Sequence, residues 1–319
     1  MTIRSALMRV LVTGGAGFIG SHLTDALLAR GDDVTVLDDL SAGHLTRLDP
    51  NVGVYKASIT DAAALATAVE DVAPDLICHL AAQIDVRASV ATPAADAQVN
   101  VVGTVNLLEA ARSAGARVLF ASSGGALYGR DAPIPSLEDV LPLPESPYGV
   151  AKYCAEQYIG LYNRLHGTAH SMLRLANVYG PRQDPAGEAG VITLFCAGAL
   201  AGKAPTIYGD GTQTRDYVYV GDAVRAFLAA ADCGRPGTWN IGTGVEVSVL
   251  DLVGIIAKIA GEEVTPRFVA PRAGELLRSA VAVDRAAEDL GWWPVVSLPD
   301  GVRHVYTWIA AGAPGRAPC

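Results

Sequence analysis

The sequence predicts an α/β protein with helices on both faces of a doubly wound parallel sheet, and three observations carry that prediction. Short, almost wholly apolar runs alternate with longer segments of helical periodicity through the first 175 residues, the pattern of strands buried on both faces. The first such run leads straight into a glycine-rich turn and a helix. The later runs end in small and polar residues, where an open parallel sheet receives its ligands. With 319 residues, half of them hydrophobic and 18% charged, a substantial core is available.

Taken in order, Arg9-Val10-Leu11-Val12-Thr13 is the first strand. Gly14-Gly15-Ala16-Gly17-Phe18-Ile19-Gly20 follows, then a helical pattern from Ser21 to Arg30 closed by Gly31. Glycines at 14, 17 and 20 let backbone approach a pyrophosphate whose charge sits at a helix N-terminus. Val34–Leu37 is the next strand and ends in Asp38, 18 residues after Gly20. A carboxylate there accepts the adenosine ribose hydroxyls and repels a 2′-phosphate, which favours NAD over NADP. The unit is Rossmann-like. A short strand near 52–56, a helix over Asp61–Asp71 and a strand over Asp75–Leu80 continue the alternation. The last of these runs into Ala81-Ala82-Gln83, small residues where a cofactor passes close to backbone. A long helix over Ala94–Ala114 holds Asn100 among apolar neighbours, where it either satisfies core backbone or orients catalytic groups. Arg117–Ala121 is another strand and ends at Ser122-Ser123-Gly124-Gly125.

Ser146-Pro147 opens a further helix, serine as N-cap and proline at the first helical position. Tyr148 and Lys152 then share one face, a turn apart. An ammonium beside a phenol favours phenolate and draws the tyrosine pKa down from about 10. Such a tyrosine exchanges a proton with a substrate hydroxyl. Only four lysines occur against twenty arginines, so an ammonium at 152 reads as specifically wanted.

Bulk properties exclude several function classes. A net charge of −9 argues against a nucleic-acid surface, and it obliges the chain to meet an anionic ligand with local donors. No run reaches the roughly 18 apolar residues of a membrane span, and no secretory leader is expected. The five cysteines lack a CxxC and the six histidines lack ligand spacing, so neither disulfides nor a metal are expected. A reduced, cytoplasmic compartment follows.

Together these residues resemble the extended short-chain dehydrogenase/reductases that act on nucleotide sugars, the NAD-dependent epimerase/dehydratase family, and most of all bacterial UDP-glucose 4-epimerases. The glycine loop, Asp38, His79-Leu80-Ala81-Ala82-Gln83, Ser122-Ser123, Tyr148-x-x-x-Lys152 and Arg215-Asp216-Tyr217-Val218 occur in the family's order over nearly the whole chain. The resemblance implies tightly bound NAD, with contacts from Gly14, Gly17, Phe18, Ile19, Gly20, Asp38, Ser58, Ile59, Leu80, Ala81, Ala82, Gln83, Asn100, Ser122, Tyr148 and Lys152. It implies a catalytic set of Ser123, Tyr148 and Lys152. It places a UDP-sugar against Ser123, Tyr148, Asn177, Thr206, Tyr208, Arg215, Arg272, Glu275 and Ser279, with the two arginines on the diphosphate as planar forks. An NAD-binding domain over 1–175 with a return segment near 212–242, a smaller α/β substrate lobe over 176–319, and a homodimer formed through helices near 94–114 and 147–166 complete the expectation.

Two positions depart from the family pattern. Ser58-Ile59 stands where an acidic residue usually precedes the isoleucine, and an extra glycine after the serines leaves Ser122 as an alternative to Ser123 for the catalytic hydroxyl. The activity implied is inversion at C4 of a UDP-hexose through a 4-keto sugar, interconverting UDP-glucose and UDP-galactose. A small Ser279 leaves room for a 2-acetamido group, which extends the expectation to UDP-N-acetylhexosamines. The competing readings are a UDP-glucuronate 4-epimerase, which differs only in how C6 is received, and a dTDP-sugar 4,6-dehydratase. The latter chemistry requires an Asp-Glu pair where this chain has Gly124-Gly125. An NAD-sensing binding protein is a different class and tends to lose the Tyr–Lys pair.

Overall fold

The computed structural model describes residues 7–184, 190–271 and 276–313. Strands β1 (Arg9–Thr13), β2 (Asp33–Leu37), β3 (Gly53–Tyr55), β4 (Leu76–His79), β5 (Arg117–Ser123), β6 (Ser171–Leu175) and β11 (Gly237–Ile241) form one parallel sheet. Their order is β11-β6-β5-β4-β1-β2-β3. Winding therefore reverses between β1 and β4, and the loops leaving those two strands part to open a crevice at their carboxyl ends.

Strand periodicity divides the core. Val10 and Val12 face helices α1 (Phe18–Arg30) and α9 (Val220–Cys233), whereas Leu11 faces α2 (Ala62–Val72), α5 (Gly103–Ala114) and α7 (Pro147–His166). All three side chains are fully buried, each worth about 1.5–3 kcal/mol of hydrophobic stabilisation.

Two elements differ from the sequence expectation. Helix α1 begins at Phe18, a turn before Ser21, because Gly17 caps it in an extended conformation and Gly20 has no Cβ to strike the Gly14 carbonyl, 2.1 Å away. The expected single helix over Ala94–Ala114 is broken into α4 (Pro93–Ala97), a π-helical turn over Gln98–Val102, and α5. The widened turn is where the Thr104 hydroxyl donates to the Asn100 carbonyl at 2.8 Å, with the Asn100 side chain drawn off toward Gln83. A short helix, α3 (Val86–Ala91), precedes it and is capped by Asp85, which accepts from the Arg87 and Ala88 amides.

After β6 the chain builds a second, smaller core. Short sheets pair β7 (Asn177–Tyr179) with β10 (Tyr217–Tyr219), β8 (Thr206–Tyr208) with β13 (Arg267–Val269), and β9 (Thr214–Arg215) with β12 (Val247–Ser248). Helices α8 (Val191–Leu200), α10 (Val249–Ala260) and α12 (Leu298–Ala310) bury Phe195, Leu252, Ile256, Val302 and Val305 between them. Helices α6 (Gly124–Leu127) and α11 (Asp284–Leu290) fill the join. Among the described residues no helix is long and apolar enough to cross a membrane.

Candidate active site

The glycine loop, Asp38, the Leu80–Gln83 segment and the serine pair all fall at the carboxyl edge of the large sheet. The glycine loop leaves β1 and the Leu80–Gln83 segment leaves β4, so they flank the switch crevice. They lie so close that a Cβ on Gly14 (φ +70°) would sit 2.6 Å from the Ala81 amide nitrogen. Gly17 caps α1 without a side-chain acceptor, so the first-turn amides of Phe18, Ile19 and Gly20 present an uncapped helix N-terminus. This cradle fits a dinucleotide pyrophosphate. Asp38 sits at the end of β2, 6% exposed, accepting the Ala16 and Leu40 amides at 2.9 Å each. Burial raises its carboxyl pKa, and the two amides work against that rise. Lone pairs remain on both oxygens for ribose hydroxyls. Ser58 spends its hydroxyl on Thr60 at 2.9 Å, and Ile59 is buried against α5 beneath Gly103.

Helix α7 carries the Tyr148 and Lys152 pair that the sequence singled out. Ser146 caps it by accepting the Gly149 amide at 3.2 Å, and the Tyr148 amide donates to Ser89 on α3 at 3.2 Å. Ser123, at the end of β5, acts on the Tyr148 phenol and draws its pKa down. Lys152 is 3% exposed, and its Nζ donates to the Ala121 carbonyl at 3.0 Å, 4.6 Å from the Phe120 ring centre and 5.9 Å from that of Tyr148. Burial pulls the Lys152 pKa down to about 8, against the opposing pull of Asp96 and Glu156.

The sequence reading expected Lys152 to lower the Tyr148 pKa; Lys152 is not among the groups acting on the phenol here. Burial pushes the phenol up to about 12; Ser123 pulls it down and Asp96 adds to the rise. The ammonium is turned toward the Ala121 carbonyl and the Phe120 face, so it does not offset that burial.

The two serines are told apart. Ser122 is 4% exposed and donates to Glu156 at 2.6 Å, inside a buried network. There Arg174 forks onto Glu156 at 2.7–3.2 Å and reaches the Tyr128 hydroxyl and the Glu138 carbonyl. Ser123 takes no part in that network and acts on the Tyr148 phenol instead. As strand neighbours point to opposite faces, one serine is bound to be structural.

Around the crevice, Asn100 clamps Gln83 from both sides: its Oδ1 accepts the Gln83 amide at 3.0 Å and its Nδ2 donates to the Gln83 carbonyl at 2.9 Å. His79 bridges Thr13 at 2.8 Å and Thr104 at 3.0 Å, fully buried, its pKa lowered to about 3 mainly by burial and further by Lys152. Asp96, 1% exposed, accepts Gln83 Nε2 at 2.7 Å and Asn100 Nδ2 at 3.0 Å. None of Asp96, Glu156 or Ser89 stood out in the sequence. Asp96 had one available signal, its place four residues before Asn100 on the same helical face.

In the smaller lobe, Asn177 opens β7 beside Gly125, and Arg215 lies half-buried on β9 with Nη1 donating to the Thr214 carbonyl at 2.7 Å. Asp216 anchors this strand by accepting from the Thr243 amide and hydroxyl, the Gly244 amide and the Val281 amide. Thr206 and Tyr208 lie on β8, and Tyr208 lines a cavity of about 760 Å³ with Gln213, Phe268, Pro271 and Leu277. Ser279 is half-buried just beyond. Arg272 and Glu275 lie outside the described residues. No group of three His, Cys, Asp or Glu among the described residues could hold a metal ion.

Comparison with known proteins agrees with this geometry. The family model described as "NAD dependent epimerase/dehydratase family" matches residues 10–242. A UDP-glucose 4-epimerase of Mycolicibacterium smegmatis is 48% identical over 302 residues, 92% of this chain and 96% of that protein. Among solved structures, a UDP-glucose 4-epimerase of Thermotoga maritima with UDP-glucose superposes with a TM-score of 0.93 at 42% identity, covering 95% of this chain and 99% of that one. A UDP-N-acetylglucosamine 4-epimerase of Methanobrevibacter ruminantium superposes with a TM-score of 0.91 at 32% identity, covering 97% and 100%.

Proposed function

This chain belongs to the NAD-dependent epimerase/dehydratase family, and from that premise we propose that it is a UDP-hexose 4-epimerase, interconverting UDP-glucose and UDP-galactose through a 4-keto sugar. The observation that carries the reading is the Ser123–Tyr148–Lys152 cluster at the mouth of the switch crevice, next to the glycine cradle. NAD, when bound, accepts the C4 hydride and later returns it. Tyr148 takes the proton of the 4-hydroxyl and gives it back, with Ser123 holding the same sugar oxygen. Lys152 supplies the positive charge that favours the phenolate once substrate is in place. Arg215, with Arg272, tethers the diphosphate so that the 4-keto sugar turns over without leaving and presents its other face. Tyr208 and its cavity receive the base, and Asn177 and Glu275 add polar contacts.

The dehydratase reading meets a steric objection. A Cβ at Gly124 would come within 2.9 Å of Val281 Cγ1 and 3.0 Å of the Arg174 carbonyl, so an acidic side chain there would have to displace Val281 and crowd the Arg174 backbone. At the other end of the sugar, the small Ser279 supports acceptance of a 2-acetamido group, and the M. ruminantium neighbour acts on UDP-N-acetylglucosamine. We further assign the protein to the reduced cytoplasm, as a homodimer. The chain divides into an NAD-holding part over 1–175 with a return segment near 212–242, and a substrate lobe over the rest.

The test is a substrate panel. Purified enzyme is incubated separately with UDP-galactose, UDP-N-acetylglucosamine and UDP-glucuronate, and the products are separated by chromatography. Conversion of the first two to their C4 epimers is expected, and turnover of UDP-glucuronate alone would overturn the assignment. Tyr148→Phe should lower turnover by about 10²–10⁴-fold while NAD stays bound.

A further inference from the structure

Asp96 holds a carboxylate in a place where little else explains it. It lies on α4, which packs against α7, and it is 1% exposed. Its Oδ1 is clamped by Gln83 and Asn100, while its Oδ2 is buried and receives no hydrogen bond. A carboxylate left with a bare oxygen out of water needs a compensating charge. Lys152 is the buried cation of α7, the helix that α4 packs against. Burial raises the Asp96 carboxyl pKa, and Gln83, Asn100 and Lys152 work against that rise, while Asp96 in turn favours the Lys152 ammonium.

The other groups facing this pair are already engaged. On α7, Glu156 is forked to Arg174 and accepts from Ser122, and the Tyr148 phenol is acted on by Ser123. In the loop before α3, Asp85 caps that helix and pairs with Arg87. On β4, His79 stays neutral between two threonines. Of these acids, Asp96 is the one with a buried carboxylate oxygen that receives no hydrogen bond.

We propose that Asp96 is a positioning residue for the catalytic pair: clamped by Gln83 and Asn100, its carboxylate is the fixed counter-charge that keeps Lys152 an ammonium throughout turnover. The proposal rests on the reading of Tyr148 and Lys152 as catalytic. During the reaction the phenol gains and loses a proton, so the cation beside it has to hold its own charge in both states. A buried ammonium left without a counter-ion gives up its proton near neutral pH.

The substitution Asp96→Asn tests this with little damage to the fold. An amide oxygen can still accept from Gln83 and Asn100, and the new NH₂ takes the place of an oxygen that has no partner. Removing the negative charge makes both Lys152 and Tyr148 lose protons more easily. Both limbs of the pH profile of kcat/KM should therefore move to lower pH, by about one unit or more. The ultraviolet titration of the Tyr148 phenolate, each protein minus its Tyr148→Phe counterpart, should fall in the same direction without any substrate present. A purely structural role would lower the amplitude and leave both midpoints in place, and that result overturns the proposal. If Asp96→Asn fails to fold, Asp96→Ser is read in the same way. A wild-type enzyme without epimerase activity would overturn the functional reading instead, whereas an active wild type with unmoved limbs in the variant sinks this proposal alone.

Discussion

At the scale of single residues, His79 shows how the crevice is kept rigid and what that costs in acid. Its ring is wholly buried between two threonine hydroxyls, and burial holds its pKa down at about 3, far below the ordinary value near 6.5. The folded-state pKa is depressed for a base. Between pH 6.5 and about 3 the unfolded chain therefore binds a proton that the fold refuses, and stability falls as pH falls through that window. One such group contributes a slope of about 1.4 kcal/mol per pH unit. Urea unfolding at pH 6 and pH 4 should lose roughly that slope in His79→Gln, whatever the variant's overall stability; an unchanged slope would show that His79 is not the group refusing the proton. The sequence showed His79 only as part of a motif, since nothing local says which atoms a core histidine will meet. The glycines, Asp38, Tyr148 and Lys152 were legible because their chemistry is local: a spacing, a helix turn, a strand end. Ser123 became distinguishable from Ser122 only when Glu156, 34 residues from Ser122, bound the latter.

At the scale of elements, the Glu156–Arg174 pair ties the catalytic helix α7 to β6. Both side chains are nearly sealed from water. Burial works against the Arg174 charge, and Glu156 and Tyr128 more than make up for it, so its pKa is raised. A buried pair of this kind adds little net stability over apolar residues, but breaking it is costly. Glu156→Gln should destabilise the protein by about 3–5 kcal/mol in chemical denaturation, because Arg174 stays charged with only neutral acceptors left. A loss below about 1 kcal/mol would mean that Tyr128 and the Glu138 carbonyl suffice. The sequence marked the start of α7 because Ser146 and Pro147 punctuate it, and the resemblance supplied its end, which Gly167 closes. It missed the π-helical turn at Gln98–Val102, since apolar periodicity there continues across the break and only Asn100's tertiary partners widen the turn. It likewise placed the start of α1 a turn late, because the clearance that Gly20 provides is a contact with Gly14 and leaves no periodic trace.

At the scale of the whole molecule, α7 presents two opposed faces. Tyr148, Lys152, Glu156 and Ile159 point inward, while Val150, Tyr158, Leu161 and Leu165 form a stripe on the far side, 54%, 37%, 41% and 66% exposed. Val102 of the π-helical turn and Val86 and Val90 of α3 are exposed as well, on elements that pack against α7. A soluble monomer rarely leaves so continuous an apolar stripe in water. The proposed homodimer, two copies meeting through these helices, covers it, and a stable interface of this sort buries about 1,200–2,000 Å² in all. Leu161 and Leu165 lie one helical turn apart at the C-terminal end of the stripe. Changing both to Asp places charges in the proposed interface and should give a monomer in light scattering at micromolar concentration, where the wild type is expected to be a dimer. Since the catalytic pair sits on the reverse of the same helix, the monomer should also lose turnover, with α7 packed on one side only. A wild-type monomer would remove the dimer from the proposal. A double variant that stays dimeric would move the interface to another face and leave the stripe on α7 without a covering partner.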